Sequence, residues 1–497
     1  MTSRAPSRTL DGTAPSPEEA ASARTVARRL GTTTFVFLFF SCVLLAAFPL
    51  GANRDWAWSP FVIVIGVLAV WHALGLGIAD GHRVRRAELR PLIFLMASFL
   101  VTLAVGMLQL SPVVPQSWGA DVYAHAARAL GHPVPAIISL DAGAGRSVLL
   151  KIVSCGAIFV LARSIFFDHR RARLFLVSFV ASAALVTAYA LFMHATVASC
   201  YVFGYAKGEN AFVVGQANRC LLSGTFVNSN SYAAYAGMAF VVALGLIFSR
   251  PRRKRKNARP EYTADMLSPP PATGWLNGAR MTLIAAALFI LGGLLLSASR
   301  AGFAATVLGA LALGLLLLRG SPVSRPALRW GLVMALVCAS VLLLIAGSAV
   351  FAKFSTLSDS DVAGRFRIWQ VAGSALREAP WTGWGLGTFQ DVFAMWQPPD
   401  LPKPNDKAHS TPLETLVELG VPAGICAFLL VLVPMAVCLG GVLHRLSDRY
   451  FPATAFAAVL VAISHSTVDF SLQIPAIGFT ASALLGLGWA QAFRRNE

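Results

Sequence analysis

Apolar runs of about 18 residues or more, broken by short polar stretches, recur along nearly the whole chain, and a helix of that length crosses a bilayer. They fall near 32–52, 60–79, 91–110, 147–167, 172–197, 229–249, 280–298, 301–318, 330–352, 413–441, 452–469 and 473–493. Twelve such runs in 497 residues, 56% of them hydrophobic and 13% charged, predict an all-α polytopic membrane protein. The polar remainder divides the chain into a cytoplasmic tail over 1–31, six spans over 32–249, a linker over 250–279, three spans over 280–352, a large loop over 353–412 and three spans over 413–493.

Charge sets the orientation. A net charge of +18 would suit a nucleic acid, but in a membrane protein the side on which the basic residues lie comes first. With the N-terminus inside, the cytoplasmic tails, loops and adjoining span ends hold 28 of the 41 Lys and Arg, among them Arg83, Arg85, Arg86 and the RPRRKRK run, and the outer side holds 13. The asymmetry predicts both termini in the cytoplasm, and attraction to anionic membrane lipid explains the basic surface without nucleic acid. The polar start and the extended first run read as an uncleaved span rather than a cleaved signal.

Five of the seven cysteines fall in predicted spans, as small apolar packing groups. Cys200 and Cys220 lie in the outward loop after the fifth span, where an oxidising compartment makes them candidates for a disulfide. No Cys/His cluster has metal-site spacing, and nothing calls for a cofactor.

The linker is basic and then Pro-rich, a composition expected to stay disordered, and it separates six spans from six. That outline is shared by secondary transporters built from repeated halves. The loop over 353–412, however, has no counterpart in the first half, and a symmetric rocking transporter has little use for it. Within it, Ser358 to Asp361 followed by VAGRFRIWQVAGSALREAP predicts a capped helix that ends at Pro380. Phe366, Ile368, Trp369, Val371 and Ala372 supply an imperfect apolar face, suited to lying along the outer side of the membrane domain.

Candidate chemistry gathers at that outer level. SASRAGF (297–303) joins two spans with almost no loop and places Arg300 at a span head, as either a functional group or a snorkelling helix-end arginine. Arg365 and Arg367, two apart on a helix, point to different faces, so one of them faces a site. His409 stands just before the tenth span, either as a hydrogen-bonded end group or as a catalyst. Glu414 and Glu418 follow on the first turns, where they either orient that imidazole or favour the positive helix end. The Asp359–Asp361 spacing reads as helix capping rather than a divalent-ion site. Gly383, Gly385 and Gly387 lack the βαβ context of a dinucleotide loop and read as a tight turn. Arginines converging with a histidine suit phosphate oxygens, as on a lipid-linked diphosphate, because guanidinium offers bidentate donors and stays charged.

In order and placement, SASRAGF, GRFRIW with APWTGWGLGTF, and AHSTPLETLVELGVPAG resemble the O-antigen ligase and polymerase family of bacterial inner-membrane glycosyltransferases. GTFVNSNSYAAYAG (224–237) and DFSLQIPA (469–476) add to the likeness, which is clearest over about 224–476. The resemblance implies a GT-C-like helical fold with a periplasmic cavity. It also implies a metal-independent, inverting transfer of glycan from undecaprenyl diphosphate to an acceptor hydroxyl, on lipid A-core or on another glycan. It places the essential span-head arginine on Arg300, the R-x-x-x-W pattern on Arg365 and Trp369, and the loop histidine on His409, with Arg367 fitting less well. Glu414 joins the substrate-binding candidates. Asn228 and Asn230 occupy the family's N-x-N position, where capping of the sixth span and sugar contact both remain open. A ligase is favoured over a polymerase; a lipid-linked sugar flippase is the alternative from another class, with His465 the only histidine well inside a late span and Asp469 near its outer end.

Overall fold

The computed structural model describes residues 17–76, 84–196, 201–202, 205–206, 213–214, 219–249, 278–318, 359–399, 401, 404–444 and 448–494. Among them run α1 (Pro17–Leu45), α2 (Asp55–Ala73), α3 (Arg86–Gln109), α4 (Asp121–Leu130), α5 (Ala142–Ile165), α6 (His169–Ala195) and α7 (Ser229–Phe248). They are followed by α8 (Gly278–Leu296), α9 (Arg300–Leu318), α10 (Asp359–Glu378), α11 (Phe389–Met395), α12 (Thr411–His444), α13 (Tyr450–Ser466) and α14 (Pro475–Phe493). Two antiparallel pairs of two-residue strands lie in the α6–α7 connection.

Nine of the described helices are long and apolar enough to cross a membrane, and Leu30–Leu45 and Tyr450–Ser466 are shorter apolar helices. The protein is an all-α polytopic membrane protein. The span expected over 330–352, most of the linker and the expected Cys200–Cys220 disulfide lie outside the described residues. Three boundaries differ from the hydropathy reading. The first span stops at Leu45, because Leu50, Gly51 and Ala52 form a tight turn with φ of 56°, 64° and 57°. The eleventh stops at Ser466, which frees Asp469 into a loop. The tenth is broken at Gly420 (φ 75°, ψ 168°), so its first nine residues form a separate piece.

Helices α7 and α14 are apolar on every side, and 89% and 83% of their spanning windows are buried, so they form the centre around which the others pack. Small residues bring backbones close, the usual device where lipid removes the hydrophobic drive for helix association. Gly237 of α7 faces Thr306 and Val461, Gly245 faces Thr454, and Gly302 of α9 faces Ala233. These registers make α9 parallel and α13 antiparallel to α7. Tyr232 and Tyr235 add hydrogen bonds to Thr187 and Ser182 of α6, at 2.9 and 3.3 Å.

The heads of α7 and α9 and the tail of α13 therefore share one end of the bundle, and the head of α12 joins them through Thr411 N–H, which donates to Asp469 O at 3.1 Å. Over this end sit α10 and α11, with a core of their own: Ile368, Val371, Ala372, Ala375, Phe389 and Phe393, closed by Ala408 and Val417. Phe366, expected on the apolar face, is instead 57% exposed. The opposite end carries Arg85, Arg163, Arg173 and Arg280 and is basic.

Candidate functional site

One face of α10 braces two loops at once. Arg365 and Trp369 are one helical turn apart, a spacing that puts both side chains on one face. Arg365 Nη1 donates to Val468 O at 3.0 Å, in the loop after α13. Trp369 Nε1 donates to Ala408 O at 2.9 Å, the residue before His409. Arg367 lies on the exposed side and donates to Gln370 Oε1 at 3.3 Å. The two arginines are thus separated as the two-residue spacing predicts.

His409 is set by its neighbours' backbone bonds. Its own backbone is left-handed, with φ of 49°, an uncommon conformation for a residue with a side chain. Glu414, 1% exposed, holds the preceding residues: Oε2 accepts from Ala408 N–H and Oε1 from Lys407 Nζ, each at 2.9 Å. With Trp369 on the carbonyl of Ala408 and Glu414 on its amide, the approach to His409 is fixed from both sides. The imidazole stands 5.5 Å from the Phe470 ring, and its Nδ1 is buried with no hydrogen-bond partner among the described residues.

A second imidazole lies behind it. His465, fully buried at the end of α13, shares a 2.8 Å hydrogen bond with Ser471 Oγ through Nδ1, and its Nε2 likewise has no partner. The charges of Asp469 and Arg365 act on both histidines. For His409, burial pushes the pKa below the ordinary imidazole value; Asp469 pulls it back up and Arg365 pushes it down. The balance is a neutral ring at pH 7, able to accept a proton. Burial also pulls the Lys407 ammonium down, but Glu414, Glu418 and Asp406 outweigh it and hold its pKa above the ordinary lysine value.

Arg300 opens α9 at the same end, half-buried. Ser299 caps that helix by accepting from Gly302 N–H at 3.2 Å and donates its own hydroxyl to Asn230 Oδ1 at 2.8 Å. Asn228 caps α7, accepting from Ser231 N–H at 2.7 Å. Both asparagines therefore secure helix heads beside Arg300.

The glycine loop locks α10 to α12. A Cβ on Gly383 (φ 63°) would stand 2.2 Å from Glu418 O, and one on Gly420 2.6 Å from Trp381 O, so the two backbones meet with no room for side chains. Trp384 and Gly385 N–H donate to Val417 and Glu418 O at 3.1 and 3.0 Å, across the break in α12. Gln109 of α3 bridges the join, donating to Thr382 O and Glu418 O at 2.7 and 2.8 Å. The Glu418 carboxylate accepts from the backbone of Gly387 and Phe389, which ties it to this loop rather than to His409.

Residues 285–428 match the family model described as O-Antigen ligase. Over that segment the chain is similar to the O-antigen ligase family. No curated protein matches the chain. The O-antigen ligase segment contains Arg300, Arg365, Arg367, Trp369, His409 and Glu414, which the fold gathers at one end. It supports a ligase- or polymerase-like function.

Asn228, Asn230, His465 and Asp469 lie outside the matched segment; Asn230 accepts from Ser299 within it and the Asp469 carbonyl accepts from Thr411 N–H. Asp469 and His465 carried little weight in the sequence, because hydropathy placed both within a span. The signal available was DFSLQ itself: an acid and a hydroxyl in a short turn, four and six residues after a histidine.

Proposed function

We propose that the protein is an O-antigen ligase-like glycosyltransferase that moves a glycan from undecaprenyl diphosphate to an acceptor hydroxyl on lipid A-core, at a periplasmic site. The observation that carries this reading is the juxtaposition of Arg365 with His409, a guanidinium beside an imidazole that is neutral at pH 7 and whose Nδ1 has no hydrogen-bond partner among the described residues. The acceptor hydroxyl attacks the anomeric carbon and gives its proton to His409. The bond from that carbon to the diphosphate oxygen breaks, and Arg300 and Arg365 stabilise the charge that grows on the departing diphosphate. Attack opposite the leaving group inverts the anomeric centre.

The reading is tested with purified protein in proteoliposomes, given undecaprenyl-diphosphate-linked glycan and an acceptor. Arg300→Lys keeps the charge but loses the planar fork, so transfer is expected to fall by about 100-fold. Parental transfer by that variant would remove Arg300 from the mechanism. Deleting the gene separates the two activities of the family. Long chains left on the carrier mark a ligase; single repeat units left there mark a polymerase.

A further inference from the structure

The turn that follows α13 touches the site at three successive residues. Val468 O accepts from Arg365 Nη1 at 3.0 Å, and Asp469 O accepts from the amide and the hydroxyl of Thr411 at 3.1 and 3.2 Å. The Phe470 ring stands 5.5 Å from the His409 imidazole. Thr411 opens α12 two residues after His409. A shift of this turn would therefore move the guanidinium, the imidazole and the head of α12 together. The whole turn lies beyond the segment that matches the O-antigen ligase family model.

The last two residues of α13 hold that turn. His465 Nδ1 shares a 2.8 Å hydrogen bond with Ser471 Oγ, and Ser466 Oγ accepts from Leu472 N–H at 3.0 Å, so two adjacent residues each grip the chain six positions on. Val468 N–H adds a bond to His465 O at 3.2 Å. His465 and Ser471 are fully buried and Ser466 is 1% exposed, so breaking either grip leaves a polar group in the interior rather than in water.

The two grips differ in kind. A serine hydroxyl suffices at 466, whereas 465 carries an imidazole that is engaged only through Nδ1; its Nε2 is buried with no partner among the described residues. An asparagine places its amide where Nδ1 stands, and a glutamine places its amide where Nε2 stands. The pair of substitutions therefore separates the bond to Ser471 from the bulk of the ring.

We propose that His465 is a positioning residue: through Ser471 it fixes the turn over 467–470, and the turn fixes Arg365 and His409 against each other. The consequence for glycan transfer rests on the transfer reading above; the placement of His409 does not.

The experiment uses the full chain with labelled histidine in detergent, and the same preparations in proteoliposomes for transfer. The His409 signal is assigned by its absence from His409→Ala. His465→Gln and Ser471→Ala each remove the bond, so both should move the His409 signal and lower kcat by about tenfold, with KM for the lipid-linked donor little changed. His465→Asn keeps the bond and should return the signal to its parental place and kcat to within about threefold. A purely structural role would penalise Asn and Gln alike. Equal behaviour of those two variants, or an unmoved His409 signal in Ser471→Ala, would overturn the proposal. Where the parental chain transfers no glycan, the His409 signal alone decides, so a failure of the transfer reading is told apart from a failure of this one.

Discussion

Glu88 at the basic end and Glu414 at the capped end are equally buried, 1% exposed each, yet they are used differently. Glu88 Oε1 accepts from Arg163 Nε at 2.6 Å and from Trp489 Nε1 at 2.7 Å, which joins α3, α5 and α14. Glu414 accepts from Lys407 and from the amide of Ala408, which joins a helix to a loop. The first carboxylate holds helices to one another. The second holds the backbone that presents His409, whose Nδ1 has no partner among the described residues. A buried carboxylate thus serves packing where all its partners are helices, and positioning where the chain it grips leads to an unsatisfied titratable group.

The comparison breaks first at Glu88. Glu88→Ala leaves Arg163 buried without its counter-charge and should cost about 3–5 kcal/mol of stability, seen as an early unfolding transition in detergent. Transfer per folded molecule should stay near parental; a variant that is stable but inactive would contradict the division of roles. Glu414→Gln should do the reverse. It keeps the size but loses the ion pair with Lys407, and transfer should fall by about 100-fold through misplacement of His409, with a smaller loss of stability than at Glu88.

Smaller effects sharpen the same contrast. Trp369→Phe deletes the bond to Ala408 O, worth about 1 kcal/mol, and should lower kcat several-fold while leaving KM for the lipid donor unchanged. Asn228→Ala removes the α7 cap and should cost about 1 kcal/mol in unfolding measurements without changing kcat. The finest test is titration. His409 has a depressed pKa, so its proton-accepting form persists to below the ordinary imidazole value and is lost as pH falls through it. Arg365→Gln removes a charge that lowers this pKa and should move it up. Asp469→Asn removes one that raises it and should move it down. Imidazole chemical shifts of labelled histidine report both, and shifts of the same sign would contradict the arrangement.

Hydropathy alone located the nine described helices that are long and apolar enough to cross a membrane, because an apolar run of that length has few other uses. It misplaced the ends of the first and eleventh spans, where apolar residues continue into turns that only positive φ and tertiary contacts define. The separation of Arg365 from Arg367 was legible from helical periodicity. The scaffold roles of Glu414, Trp369, Asn228 and Asn230 were not, since each depends on a backbone group or side chain brought near by folding. Asp469 was hidden in a stretch that reads as membrane.

The central claim is that His409 acts in the chemistry and not in the fold. Single-turnover glycan transfer by His409→Ala, measured beside its unfolding midpoint in the same detergent, tests it most directly. The account predicts a loss of about 100-fold or more in transfer with the midpoint unchanged. Near-parental transfer by a fully folded His409→Ala protein would contradict it.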